Sequence, residues 1–254
     1  MTIRTEQQHG VLRIGFDRPE RKNAITVAMY AQLAEALTQA TRDAAVRVVL
    51  LHGSSTVFTA GNDLDDFLRH PPHGTDSPVF GFLQALRDVD KPLVAAVAGP
   101  AIGVGATMLL HCDLVYAADT ARFSFPFVQL GLCPEAASSL LLPQLAGWQR
   151  AAERLLLGET FGADEARELG MVNRVLPAPE LLPFAEAQLA KLVALPAAAL
   201  RATKRLMKSG LRDAIATRMD DEGALFRAML ASPEAKEAFT AFFEKRKPDF
   251  SRFE

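Results

Sequence analysis

Residues 92–110 constrain the fold more than any other part of this chain of 254 residues. The stretch is uncharged, and its length approaches that of a membrane span. Gly99-Pro100 interrupts it, however, and Gly103 and Gly105 follow closely. It therefore reads as a buried strand, a turn and a buried helix. A strand that is apolar at consecutive positions is covered on both faces, the habit of parallel sheets. Residues 46–51, 113–117 and 172–176 show the same signature, and 11–16 is a strand after a turn at His9-Gly10. Helical periodicity fills the intervals at about 27–42, 78–89, 103–111, 135–157 and 163–170, with Thr26 as the first helix cap. Strands alternating with helices predict an α/β fold with right-handed crossovers.

Beyond Pro196 no strand-like run remains. Leu200, Lys204, Met207 and Leu211, then Leu225, Met229 and Leu230, then Phe239, Phe242 and Phe243 recur at helical spacing. The division expected is a core over 1–195 and a helical region over 196–254, packed on the core or on a neighbouring subunit. Residues 70–78, which carry His70, His73 and three prolines, form the clearest loop.

Several function classes are disfavoured. A net charge of -2 supplies no basic field for nucleic acid. Cys112 and Cys133 sit in no ligand or redox motif and fit a reducing compartment. The polar first residues carry no secretory h-region, so the expected location is cytoplasmic, with no membrane partner. The five histidines form no metal-ligand spacing; His70 and His73 read as solvated loop residues. Phosphate-loop and dinucleotide fingerprints are incomplete. Ser138-Ser139, outside any nucleophile elbow, read as helix-interior serines.

Two glycine-containing turns follow two buried strands: Val57-Phe58-Thr59-Ala60-Gly61-Asn62-Asp63-Leu64, and Gly99 to Thr107. Small residues let a ligand approach the backbone, and a helix start leaves N–H groups unpaired. Two such groups converging on one point would form an oxyanion hole; both turns also fit plain strand-to-helix connections. Glu135 is the only ionisable carboxylate or ammonium between Phe123 and Gln149. Following Pro134, it is either a helix-start acid or a general base. Burial would raise its pKa and a helix start would oppose that, which leaves the direction open.

These pieces together resemble the crotonase (enoyl-CoA hydratase/isomerase) superfamily over nearly the full length. The matching segments are Asp17-Arg18-Pro19 with Asn23-Ala24, Phe58 to Leu64, Lys91 to Gly103, Cys112-Asp113-Leu114, and Phe123-Ser124-Phe125-Pro126 with Leu130-Gly131. The resemblance implies a spiral of ββα turns, a helical C-terminal oligomerisation region giving a homotrimer or dimer of trimers, and acyl-CoA thioester substrates. It implies oxyanion donors at the Ala60 and Val104 N–H groups, with Gly61, Asn62, Asp63, Leu64 and Gly103 shaping the turns. Arg18, Lys22 and Ala24 fall where relatives run beside the adenine and phosphates, and Lys245, Arg246 and Lys247 offer further charge. The two glutamates of typical hydratases fall on Thr107 and Phe127, neither of which suits acid–base work near neutral pH. Leu132-Cys133-Pro134-Glu135-Ala136-Ala137-Ser138-Ser139 resembles instead the Pro-Glu-x-x-Ser-Ser segment of the Δ3,Δ2-enoyl-CoA isomerase branch, where that glutamate shuttles a proton. Phe127, Leu132 and Leu140 would then exclude water around Glu135. Asp63, Asp65 and Asp66 are rival acids with the look of helix-start residues, and Asp113 is assigned a structural role. The expectation is an isomerase in fatty acid metabolism with no cofactor beyond the CoA of its substrate. Hydration, isomerisation of a ring-derived acyl-CoA, or a non-catalytic acyl-CoA scaffold are the alternatives.

Overall fold

The computed structural model describes every residue except 1, 73, 75 and 254, so the solvated-loop reading of His73 lies outside the described residues. The strands are β1 (Ile3–Gln8), β2 (Val11–Phe16), β3 (Val48–His52), β4 (Leu93–Val97), β5 (Pro100–Ile102), β6 (Leu114–Ala118), β7 (Arg122–Ser124), β8 (Phe161–Gly162) and β9 (Arg174–Leu176). The helices of the core are α1 (Val27–Arg42), α2 (Leu64–Arg69), α3 (Pro78–Asp88), α4 (Val104–Thr107), α5 (Ser138–Ala146), α6 (Trp148–Leu157), α7 (Ala163–Glu168) and α8 (Ala178–Ala194). The C-terminal helices are α9 (Ala197–Ser209), α10 (Arg212–Leu230) and α11 (Pro233–Phe243).

One sheet runs β1-β2-β3-β4-β6-β9, antiparallel between β1 and β2 and parallel thereafter. Its middle strands are apolar on successive residues because both faces are covered. Val48 and Leu50 join Val94, Ala96 and the α8 side chains Leu181, Ala185 and Leu189. Val49 and Leu51 point the other way, into the core shared with Leu33 and Leu37 of α1 and Phe82 and Leu86 of α3. The first strand, β1, escapes the sequence pattern because only Ile3 of its six residues is buried.

A second sheet, β5-β7-β8, stands beside the first. The chain passes from β4 into β5 through Gly99, at φ +63°, where a Cβ would lie 1.7 Å from the Thr56 carbonyl oxygen. This swerve from one sheet to the next is what makes the core a spiral, and it delivers the chain to α4. Among the described residues no single helix is long and apolar enough to cross a membrane.

The structure corrects three sequence expectations. The helix expected over 135–157 is two helices, divided by Gly147 at φ +84°, and it begins only at Ser138. Ser138 and Ser139 are therefore first-turn residues rather than helix-interior ones. On α10 the buried stripe is Ile215, Met219, Glu222, Gly223 and Phe226, while Leu225 is 53% exposed. On α9 only Lys204 is buried, its ammonium held by Asp113 at 2.6 Å and by the Lys91 carbonyl, and Met207 is 72% exposed.

Candidate active site

The two glycine turns are bonded to each other. Thr59 N–H donates to the Pro100 carbonyl at 2.9 Å, and Ile102 N–H returns a bond to the Thr59 carbonyl at 3.1 Å. Gly61, at φ +84°, lets the strands close, since a Cβ there would sit 2.6 Å from the Ile102 carbonyl oxygen. The paired turns form the floor of a cleft of about 660 Å³. Lys22, Ala24, Ala60, Gly61, Asn62, Asp63, Leu64, Gly103, Val104, Phe127 and Leu132 all line it. Phe226, Phe239, Phe242 and Phe243 from α10 and α11 cover its far side.

Val104 opens α4, so its N–H has no intrahelical acceptor, and Gly103 before it has φ +55°. Ala60 differs from expectation: its N–H donates to the Lys22 carbonyl at 3.0 Å and is not free. The reason is local. Lys22 and Asn23 both occupy the left-handed region, at φ 52° and 56°, which folds the 18–24 turn onto residues 57–60. The Asn23 side chain completes that junction by donating to the Val57 and Phe58 carbonyls.

Arg18 is also placed differently from the expectation. It lies outside the cleft lining, and its guanidinium donates to the Ala24 carbonyl at 3.0 Å and to Asp63 at 2.6 Å. Asp63 in turn caps α2 by accepting the Asp66 N–H. Arg18 thereby fixes the cleft wall from behind. Although burial opposes ionisation of Asp63, the hydrogen bonds and charge of Arg18 hold its pKa below the usual carboxylate range. Asp113 is structural, as expected, and accepts the Leu93 N–H and Lys204.

Glu135 is set behind the cleft lining. It lines a small inner chamber of about 20 Å³, with Tyr30, Asn62, Phe67, Val79, Phe80, Leu83, Met219 and Phe226. That volume suits about one water molecule. The chamber walls around the carboxylate come from α1, α2, α3 and α10, while Phe127 and Leu132 line the outer cleft and Leu140 lines neither space. Asn62, Phe67 and Phe226 border both spaces. Phe67 and Phe226 meet edge to face, with centroids 6.1 Å apart. The Tyr30 hydroxyl donates to Asn62 Oδ1 at 2.5 Å, leaving the amide's NH2 as its donor end.

Burial pushes the Glu135 pKa up to about 8, against the Thr107 hydroxyl, which donates to its carboxylate and favours the anion. A carboxyl group that titrates near neutral pH can both take and return a proton. Thr107, fully buried and outside the cleft lining, donates to the Glu135 carboxylate.

Sequence reasoning missed three residues here. Tyr30 and Phe226 sit on apolar helix faces and carry no signal beyond burial. Glu222 stands in the acidic run Asp220-Asp221-Glu222, which reads as a solvated face, yet it is 6% exposed. Its spacing from Ile215, Met219 and Phe226 was the available clue.

The family model for enoyl-CoA hydratase/isomerase matches residues 6–252. The 1,2-epoxyphenylacetyl-CoA isomerase of Escherichia coli (strain K12) is 34% identical, covering 98% of both chains. Human enoyl-CoA delta isomerase 2 is 32% identical over 96% of this chain, which spans 64% of that longer protein. A crystal structure of an enoyl-CoA hydratase/isomerase from Pseudoalteromonas atlantica T6c superposes with a TM-score of 0.94 at 42% identity, covering 98% of this chain and 100% of that one.

Proposed function

We propose, from the premise that this chain belongs to the enoyl-CoA hydratase/isomerase (crotonase) superfamily, that it moves the double bond of a 3-enoyl-CoA to the 2-position with Glu135 as sole proton shuttle. The observation that carries this reading is the partly buried Glu135 carboxyl, poised at about 8 behind a cleft floored by a free helix-start N–H.

The thioester lies in the cleft with its carbonyl oxygen at the Val104 N–H. The Ala60 N–H is already taken by the Lys22 carbonyl, so the proposal rests on the Val104 N–H as its oxyanion donor. Ionised Glu135 takes a proton from C2, which the thioester carbonyl and the alkene both acidify. The electron pair passes to a dienolate whose charge gathers on the thioester oxygen, where an oriented donor contributes about 3 kcal/mol. Protonated Glu135 returns the proton at C4, and the double bond settles between C2 and C3. Phe67, Phe226 and the chamber walls hold bulk water away from this intermediate. A 1,3-shift of this kind calls on no cofactor beyond the CoA of the substrate. The C-terminal helices, with exposed Leu206, Met207 and Phe242, supply the surface we assign to subunit association.

Hydration is the second reading, favoured by room for one water beside Glu135. Against it, Thr107 and Phe127 occupy the positions of the hydratase pair. The other nearby carboxylate, Glu222, is occupied by backbone donors. The test supplies 3-hexenoyl-CoA and, separately, 2-hexenoyl-CoA to wild type and Glu135→Gln. Isomerisation abolished in the variant supports the proposal. Hydration of 2-hexenoyl-CoA that persists in the variant overturns it.

A further inference from the structure

We propose that Glu222 is a positioning residue for the Glu135 base: it occupies the N-terminus of α5 in place of Glu135, and so keeps the Glu135 carboxylate turned to the chamber without helix-terminal donors. The inference rests on the isomerase reading for its kinetic consequences and on geometry alone for its structural ones.

A glutamate three residues ahead of a helix is placed to accept that helix's free N–H groups. Here those groups are taken. Glu222, reaching from α10, accepts the Ala137 N–H at 2.6 Å, the Ser139 N–H at 3.0 Å and the Ser139 hydroxyl at 2.5 Å. Arg218, one turn earlier on α10, donates to the same hydroxyl at 3.0 Å.

The backbone that leads Glu135 into α5 is otherwise unfavourable. Ala136 and Ala137 lie at φ 59° and 55°, a left-handed conformation that is strained for a non-glycine residue. Alanine offers no side chain to compensate. The remaining bonds at this bend come from Ser138, whose N–H and hydroxyl donate to the Glu135 carbonyl, and from His111. Because the Ala136 carbonyl only accepts, His111 Nε2 carries the hydrogen at 2.8 Å, and burial keeps that ring neutral by lowering its pKa to about 4. Removing Glu222 would leave two buried N–H groups unpaired, and they would then compete for the Glu135 carboxylate.

Glu222 cannot drift from its post. Gly223 beside it packs so closely that a Cβ would lie 2.9 Å from the Phe80 ring on α3. The Cys133 thiol also donates to the Glu222 carbonyl, tying α10 to the segment just before Glu135.

Among the described residues the charged and titratable groups around Glu135 are few. Tyr30 faces it from α1, a buried phenol that stays neutral. Thr107 and neutral His111 face it from α4 and the turn that follows, with Cys133 on its own segment and Arg218 and Glu222 on α10. Within this set Glu222 repels the anionic form of Glu135, so losing its charge makes Glu135 a stronger acid.

The test compares wild type, Glu222→Gln and Glu222→Asp. The Glu135 carboxyl is titrated by isotope-edited infrared spectroscopy, its band assigned by loss in Glu135→Gln, and kcat/KM for 3-hexenoyl-CoA is followed against pH. In Glu222→Gln both titrations move about one unit toward acid, the plateau kcat falls, and KM changes less than twofold. Glu222→Asp, which keeps the charge, leaves the acid limb near its wild-type position. A folded Glu222→Gln whose Glu135 band titrates as in wild type overturns the inference. If wild type fails to isomerise, the functional reading falls, and the infrared titration still decides the role of Glu222.

Discussion

Replacing Glu135 by glutamine keeps the shape of the side chain and an oxygen to accept the Thr107 hydroxyl, but removes the ionisation. In the unfolded chain this glutamate titrates at its ordinary 4.5, and in the folded protein at about 8. The native state holds the proton more tightly, so the contribution of this group is fully present below 4.5 and is lost as pH rises toward 8. The slope is about 1.4 kcal/mol per pH unit within that window. At pH 7 the accumulated loss would approach about 3 kcal/mol. Relaxation around the partly accessible residue reduces the effective figure to about 1–2 kcal/mol. For a chain of this length that is worth about 3–6 °C in Tm. Glu135→Gln is therefore expected to melt several degrees above wild type at pH 7 to 8, and within about 1 °C of it at pH 5, while losing isomerase activity. Differential scanning calorimetry across pH 5 to 8 reads the effect directly. Equal melting temperatures at every pH would show that the carboxylate is not held away from water. A gain independent of pH would place its origin in packing instead. Opposite signs for stability and activity are the mark of an acid kept in an uncomfortable place because its chemistry needs it there.

Two further outcomes follow from the same geometry. Thr107→Val removes a donor that favours ionised Glu135, so the acid limb of kcat/KM should move about half a unit or more above its wild-type position near pH 8; an unmoved limb in folded protein would contradict the hydrogen bond. Gly61→Ala places a Cβ against the Ile102 carbonyl at φ +84°. It should cost about 2 kcal/mol or more in urea unfolding and lower kcat/KM, whereas a variant indistinguishable from wild type would show that the two turns need not touch.

The sequence made the parallel core visible because residues buried on both faces leave an unbroken apolar signature, as in β3 and β4. It showed the two turns because close backbone approach demands glycine at Gly61 and Gly99. It isolated Glu135 because a lone acid in an uncharged stretch must have a reason. What it hid depends on partners far away in the chain. Nothing in Ala136-Ala137 announces a left-handed bend, since the carboxylate that holds it comes 85 residues later. The Arg18–Asp63 pair, 45 residues apart, turned an expected ligand contact into a brace. The Lys22 carbonyl on Ala60 N–H is a backbone event that no side-chain pattern encodes. The break at Gly147 carried a signal in its glycine, but it was masked by apolar periodicity on either side.

The bonds between the Thr59 and Ile102 turns have a consequence for how such a protein changes its diet. In the proposed mechanism the oxygen anchor is fixed by main chain meeting main chain, so its geometry does not depend on what the substrate carries beyond the thioester. The walls are supplied separately, by Phe127 and Leu132 on one side and by α10 and α11 on the other. The reactive group arrives on yet another segment, at Glu135. Anchor, wall and reagent thus come from three different stretches of chain. Wall side chains can be exchanged to admit a longer or bulkier acyl group, and the acid at residue 135 can be altered to change the reaction, without moving the anchor.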